Sequence, residues 1–213
     1  MTRLSFPVAL FFNAFSRIAL GITQVVDRTR RTLAATFAAF ALGACPQAAQ
    51  ADGPIRLDRQ GIVVMLRHAL APGTGDPANF SLADCGTQRN LSAEGRAQAV
   101  RIGAALRRAG LHDARVFSSP WCRCLDTASG LGFGAVTPLP LLGSFFEQPE
   151  IGRERTRDLR AWIAAAPDEP LILVTHQVNI TGLSGIVPAS GEAVVFQRQA
   201  GAGLKLIGRL PAD

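Results

Sequence analysis

Residues 62–68 have the sequence Ile-Val-Val-Met-Leu-Arg-His, in which five consecutive apolar residues are followed by two polar ones. A short, uninterrupted apolar run is typical of a strand that is buried on both faces, as in a parallel sheet. Leu171–Val174 is a second run of this kind, and Thr175 and His176 follow it. Because ligands of open α/β sheets bind beyond the carboxyl ends of the strands, we expect the functional site of this protein at the ends of these two strands.

Helical patterns separate the apolar runs. Ser92 is placed to cap a helix whose apolar residues recur at helical spacing, and Gly110 stands where a helix-ending glycine belongs. We expect further helices from near Pro120 and over about 151–166, and further strands at 115–117, 193–198 and 204–208, the last two as a candidate hairpin. This alternation predicts an α/β fold: a single doubly wound domain with a mostly parallel central sheet flanked by helices.

The start of the chain has the pattern of an export signal. A basic segment, an apolar run over 33–44 and the small-x-small tripeptide Ala49-Gln50-Ala51 follow one another. We therefore expect a leader over 1–51, one domain over 52–213, and a periplasmic or secreted product. The alternative is a lipoprotein, because the residues up to Cys45 resemble a lipoprotein box; the membrane is a partner only if Cys45 is lipidated.

The net charge does not favour a nucleic-acid partner. The formal charge is +6, but five of the 22 basic residues and one of the 16 acidic residues precede Asp52. The remainder carries 17 basic and 15 acidic residues, a net charge of only +2. A nucleic-acid surface would need a basic stripe on the folded part, and the sequence shows none.

Three cysteines follow the leader: Cys85, Cys122 and Cys124. In an oxidising compartment we expect Cys85 to form a disulfide with one of the other two, which leaves one thiol free. Structural zinc needs four well-spaced ligands, so this set does not favour a metal site.

The residues at the strand ends include candidate ligands for an anion. Arg67 and His68 follow the first strand, Arg123 follows the strand at 115–117, and His176 follows the strand at 171–174. We expect these side chains to meet at one edge of the sheet. A guanidinium group can donate two parallel hydrogen bonds to the oxygens of a phosphate dianion, so a phosphate group is the expected ligand.

The blocks that carry these residues resemble the histidine phosphatase superfamily, in its phosphoglycerate-mutase-like branch. The resemblance rests on Leu66-Arg67-His68-Ala69, Asn90–Ala99, Ser118-Ser119-Pro120 with Arg123, and Val174-Thr175-His176. It implies that His68 is the nucleophile and becomes a phosphohistidine, and that Arg67 and Arg123 bind the phosphate. It also implies that His176 stabilises the transferring phosphoryl group and that no metal or cofactor takes part.

The resemblance leaves the general acid open. Glu147 matches the position of the acid in the mutase-like branch, and Asp76 is a second candidate because its loop follows the nucleophile. We also expect Asp76 and Asn90 to bind substrate beside Arg67 and Arg123. Ala69 stands where the family has glycine, a change that still permits a close turn.

These inferences together predict a metal-independent phosphomonoester hydrolase that acts through a phosphohistidine on His68. The expected substrate is a small phosphorylated molecule, such as a periplasmic or envelope sugar phosphate. Two alternatives remain open: a phosphohistidine-protein phosphatase, and a catalytically weak module that binds phosphorylated ligands in the same cationic pocket. The oligomeric state does not follow from the sequence.

Overall fold

The computed structural model describes residues 55–201 and 203–212, which form an α/β fold around one six-stranded sheet. The strands are β1 (Ile62–Arg67), β2 (Arg115–Ser118), β3 (Val136–Pro138), β4 (Leu171–Thr175), β5 (Ala193–Gln199) and β6 (Gly203–Leu210). The helices are α1 (Ala93–Arg108), α2 (Cys122–Gly130), α3 (Gly152–Ala165) and α4 (Gln177–Ser184). Short 3₁₀ turns lie at Cys85–Thr87, Pro140–Leu142 and Pro149–Ile151.

The sheet has the strand order β3-β2-β4-β1-β5-β6. The first four of these strands are parallel, with Val64 of β1 opposite Ile172 of β4. Strand β5 is antiparallel to β1, and β6 is antiparallel to β5, so the two late strands form the expected hairpin. The prediction of a mostly parallel central sheet flanked by helices is confirmed.

Strand β1 contributes to two apolar cores, one on each face of the sheet. Val64 and Leu66 pack with α1 and α2, whereas Val63 and Met65 pack with α3 and α4. All four side chains are fully buried, and burial of such a side chain is favourable by about 1.5–3 kcal/mol. The carboxyl end of β1 is therefore held rigidly from both sides.

Local signals in the sequence place helix α1. The hydroxyl of Ser92 accepts a hydrogen bond from the Gly95 amide at 2.9 Å, and Gly110 follows the helix with a φ of 99°. Gly95 also lets the loop after β1 approach closely, because a Cβ there would lie 2.1 Å from the carbonyl oxygen of Leu70. Strand β3 and helix α4 were not predicted.

A disulfide joins Cys85 to Cys122, and Cys124 is a buried free thiol. The expected pairing of Cys85 with one of the two later cysteines is confirmed. The bond ties the long loop after β1 to the first residue of α2 across a sequence separation of 37. In the chain-entropy account, closing a loop of that length stabilises the fold by about 3–4 kcal/mol.

The predicted leader at 1–51 and the lipoprotein cysteine Cys45 lie outside the described residues. Among the helices that are described, none combines the length and the apolar character needed to cross a membrane.

Candidate active site

Three neighbouring parallel strands bring two histidines and an arginine to one edge of the sheet. His68 follows β1, His176 follows β4, and Arg123 lies in the first turn of α2, just after β2. The two imidazole rings meet edge to face, with 5.5 Å between their centroids. The expected convergence of the two histidines is therefore observed.

A backbone contact fixes the tautomer of His68. Its Nδ1 lies 2.8 Å from the carbonyl oxygen of Ala69. A carbonyl oxygen can only accept a hydrogen bond, so Nδ1 carries the proton and Nε2 keeps a free lone pair. Burial lowers the pKa of His68 to about 3, and the positive charges of Arg123, Arg89 and Arg67 act in the same direction. His68 is thus a neutral imidazole with Nε2 available as a nucleophile.

The segment that carries His68 is tied to its neighbours by backbone and hydroxyl groups. The His68 amide donates to the Thr175 carbonyl at 2.9 Å. The Ala69 amide donates to Oγ1 of Thr127 at 3.0 Å, and that hydroxyl donates to the Arg123 carbonyl at 2.7 Å. Thr127 of α2 therefore links the segment that carries His68 to Arg123, whose guanidinium is buried.

His176 is 4% exposed and is held by Ser119, with 2.8 Å between Nε2 and the serine Oγ. The ring of Trp121 packs against it edge to face, at a centroid distance of 5.2 Å. Burial, reinforced by the charge of Arg123, lowers the pKa of His176 well below its ordinary value. The second imidazole is therefore also neutral, and Nδ1 has no hydrogen-bond partner among the described residues.

Three guanidinium groups face these imidazoles. Arg123 is 3% exposed, and Arg67 donates from Nη1 to the Pro188 carbonyl at 2.8 Å. Arg89, which sequence reasoning missed, donates to the carbonyls of Gly75 and Ala71. The signal that could have found it is its place directly before the Asn90–Ala99 block.

The electrostatics of the arginine cluster favour an anion. Burial, followed by the charge of Arg123, lowers the pKa of both Arg67 and Arg89. The Nε atoms of Arg67 and Arg123 are buried and have no hydrogen-bond partner among the described residues. Buried donors of this kind are destabilising unless a ligand or water accepts from them.

Asp76 is the carboxylate that pairs with this cluster. Its Oδ1 lies 2.6 Å from Nη1 of Arg123, and its Oδ2 accepts from Nη2 of Arg123 and Nε1 of Trp121, both at 3.1 Å. Burial raises the pKa of Asp76, but the hydrogen bond and charge of Arg123 outweigh it, so the net pKa is lowered. An ionised Asp76 fixes the orientation of Arg123 and holds no proton for a leaving group.

These groups line a cavity of about 480 Å³. Its walls are the segments Gly73–Phe80 and Ser144–Gln148, and Glu147 lies on the rim, where Oε1 would be 3.9 Å from a Cβ at Gly75. The lining includes the other expected residues Arg67, His68, Asp76, Arg123 and His176. Asn90 is not part of it, because its amide is turned to the Cys85 carbonyl at 2.7 Å, so no contact here supports its expected part in substrate binding.

Comparison with known families gives one match. The model of the histidine phosphatase superfamily (branch 1) matches residues 63–148, which include His68, Arg89 and Arg123. A search of curated proteins found no match.

Solved structures show the same fold. The protein histidine phosphatase SixA, complexed with tungstate, has 15% identity and a TM-score of 0.51, with 71% of this chain and 97% of that chain covered. A mycobacterial glucosyl-3-phosphoglycerate phosphatase with inorganic phosphate has 20% identity and a TM-score of 0.51, with coverage of 71% and 97%. A phosphoserine phosphatase from Entamoeba histolytica, in complex with phosphoserine, has 11% identity and a TM-score of 0.54, with coverage of 71% and 98%.

Over residues 63–148 the chain is similar to the histidine phosphatase superfamily, and its fold is that of the solved phosphatases. This similarity and the geometry of the site together support a phosphatase as the class of enzyme.

The two buried histidines predict that stability depends on pH. Their pKa values lie below about 6.5, the value of an unfolded chain, so the unfolded state binds more protons as the pH falls from about 6.5 towards 3. We expect the free energy of unfolding to decrease by about 1 kcal/mol or more per pH unit in this window. Urea unfolding between pH 7 and pH 4.5 measures this slope.

The change of this slope in a variant, rather than the variant's stability at a single pH, shows which side chain causes the pH dependence. His68→Asn should flatten the slope, whereas Val100→Ala, at an exposed position on α1 that does not titrate, should leave it unchanged. An unaltered slope in His68→Asn would mean that His68 titrates normally in the folded protein.

Proposed function

We propose that the protein is a metal-independent phosphomonoester hydrolase in which Nε2 of His68 takes the phosphoryl group from its substrate. The observation that carries the proposal is the hydrogen bond from Nδ1 of His68 to the Ala69 carbonyl. It leaves the nucleophilic lone pair on Nε2 of a neutral ring that lines the same cavity as three arginines.

The arginine cluster would bind the phosphate dianion. Charge-assisted hydrogen bonds contribute about 1.5–3 kcal/mol each, and the buried Nε donors of Arg67 and Arg123, which have no partner among the described residues, can donate to the anion. Asp76 keeps the plane of Arg123 fixed during this step. Phosphoryl transfer depends mainly on positioning and charge stabilisation, which this arrangement supplies.

In the first chemical step, Nε2 of His68 forms a bond to phosphorus while the ester oxygen leaves with the electron pair of the P–O bond. The Ser119 hydroxyl can donate a hydrogen bond to Nε2 of His176; in that tautomer the ring proton is on Nδ1, which can donate to a phosphoryl oxygen. In the second step, water adds to phosphorus, the P–N bond breaks, and the lone pair returns to Nε2.

Glu147 is the group that we propose as general acid and then base. It lies on the rim of the cavity, opposite Gly75, and it is exposed, so it can exchange protons with solvent. It would protonate the leaving oxygen in the first step and accept a proton from water in the second. Asp76 is unsuited to this role because it is engaged by Arg123 and Trp121.

The substrate that we propose is a periplasmic or envelope sugar phosphate. The compartment rests on the export-signal pattern in residues 1–51 and the disulfide between Cys85 and Cys122, a bond typical of oxidising compartments. The cavity is large enough for a phosphate with a small leaving group attached.

The first test traps the intermediate. Wild-type protein quenched during turnover of an aryl phosphate should carry acid-labile, base-stable phosphate, located on His68 by mass spectrometry. His68→Ala should remove both the phosphoprotein and the turnover, since Nε2 is the attacking atom. His112→Ala is the matched control and should keep both, because His112 is exposed and does not line the cavity.

Other outcomes exclude the proposal in different ways. Phosphate or vanadate binding without turnover above the His68→Ala background would identify a binding module. Turnover that persists in His68→Ala would place the nucleophile elsewhere.

The second test separates the two candidate acids by leaving group. Glu147→Gln should lower kcat about 10²–10⁴-fold for an alkyl phosphate, whose leaving oxygen needs a proton. The loss should be much smaller for 4-nitrophenyl phosphate, which leaves as a stable anion. Asp76→Asn should lower the turnover of both substrates to the same extent, because it frees Arg123 from its carboxylate partner. If Asp76→Asn instead shows the dependence on leaving group, Asp76 is the acid.

A further inference from the structure

The cavity has two chemically different parts. One part is the phosphate pit, formed by the two imidazoles and three guanidiniums described above. The other part is an aromatic wall, which we define as Phe80, Trp121, Phe145 and Phe146, all of which line the same cavity. Phosphate chemistry does not use aromatic rings, so the wall calls for a separate explanation.

The inner half of the wall stands next to the reacting groups. Phe80 stacks on Trp121 with 5.6 Å between ring centroids and an angle of 18° between the planes. Trp121 is in turn fixed by its hydrogen bond to Asp76 and by its edge contact with His176. A flat apolar surface therefore begins directly beside the second imidazole.

The outer half is contributed by the segment Ser144–Gln148. Phe145 packs closely over the start of α3, because a Cβ at Gly152 would lie 2.8 Å from its ring. Phe146 is left 57% exposed at the cavity. A large apolar ring that lines a binding cavity and remains open to solvent gains from contact with an apolar ligand surface.

The charges outside the pit restrict the leaving group. Among the described residues that line the cavity, the cationic side chains are Arg67, Arg89 and Arg123, and all three belong to the pit. Beyond the pit the lining contains the carboxylate of Glu147 and the uncharged amides of Gln148 and Gln177. A second anionic group on the substrate would find no counter-charge there.

We propose that the aromatic wall is the leaving-group subsite, that it selects phosphomonoesters of an uncharged ring, sugar or aryl, and that Phe80 and Phe146 determine this specificity. Esters whose leaving group carries a carboxylate or a second phosphate are poor substrates. This inference rests on the proposed function, because it assumes that the phosphoryl group is transferred to His68.

The first arm of the test compares two aryl esters of nearly the same shape. Phenyl phosphate should have a kcat/KM at least about tenfold higher than that of 4-carboxyphenyl phosphate, because the added carboxylate meets no cation. A hexose 1-phosphate should also be hydrolysed, and activity on phenyl phosphate without activity on the hexose phosphate would contradict the proposal for sugars.

The second arm uses variants of the wall. Phe146→Ala, and separately Phe80→Ala, should raise KM for the preferred ring ester about tenfold, the loss expected for one stacking contact. Both should leave kcat/KM for phosphoramidate unchanged, because its leaving group is ammonia and does not reach the wall. Val100→Ala, an exposed apolar residue on α1 outside the cavity lining, is the matched control and should alter neither substrate.

Two results would overturn the inference: equal kcat/KM for the two aryl esters, or wall variants that lower phosphoramidate and ring-ester turnover alike. Neither result would contradict the formation of a phosphohistidine on His68. Failure of the proposed function is different, since then no phosphoester is hydrolysed and no phosphoprotein is trapped.

Discussion

The organising constraint of this protein is the confinement of three guanidinium groups in one pit, where Arg123 is buried and Arg67 and Arg89 are half-buried. Arg67, Arg89 and Arg123 repel one another, and Asp76 is the single carboxylate hydrogen-bonded to the cluster in the described part of the chain. Positive charge that is partly removed from water is unfavourable without a counter-charge, so we infer that a bound dianion balances the charge of the pit. The same positive field and the same burial keep both imidazoles neutral, which is the state that a histidine nucleophile requires.

The fold provides this confinement through topology rather than through local sequence. Strands β2, β4 and β1 are parallel neighbours, so the residues that follow them emerge at one edge of the sheet. The loop that carries Asp76 and Arg89 has little regular structure of its own. The Cys85–Cys122 disulfide ties it to α2 beside Arg123, and the loop therefore completes the pit from outside the sheet.

The parts of the site that the sequence predicted are those fixed by local pattern. His68 and His176 follow apolar runs that are typical of buried strands. Because the carboxyl ends of parallel strands meet at one edge of a sheet, the position of both histidines could be predicted. Arg89 and the pairing of Asp76 with Arg123 depend on the path of a long loop, which no periodicity encodes. Strand β3 was missed because three residues ending in proline give no apolar run, and helix α4 because its buried residues do not form a clear stripe.

A crystal structure with bound vanadate would show whether a phosphate-like anion meets Nε2 of His68 within the arginine cluster. We expect vanadium to be bonded to Nε2 of His68, with its oxygens contacted by the guanidiniums of Arg67, Arg89 and Arg123, and with the Asp76–Arg123 pair intact. Vanadate bound elsewhere, or bound in the cavity without a bond to Nε2 of His68, would contradict this expectation.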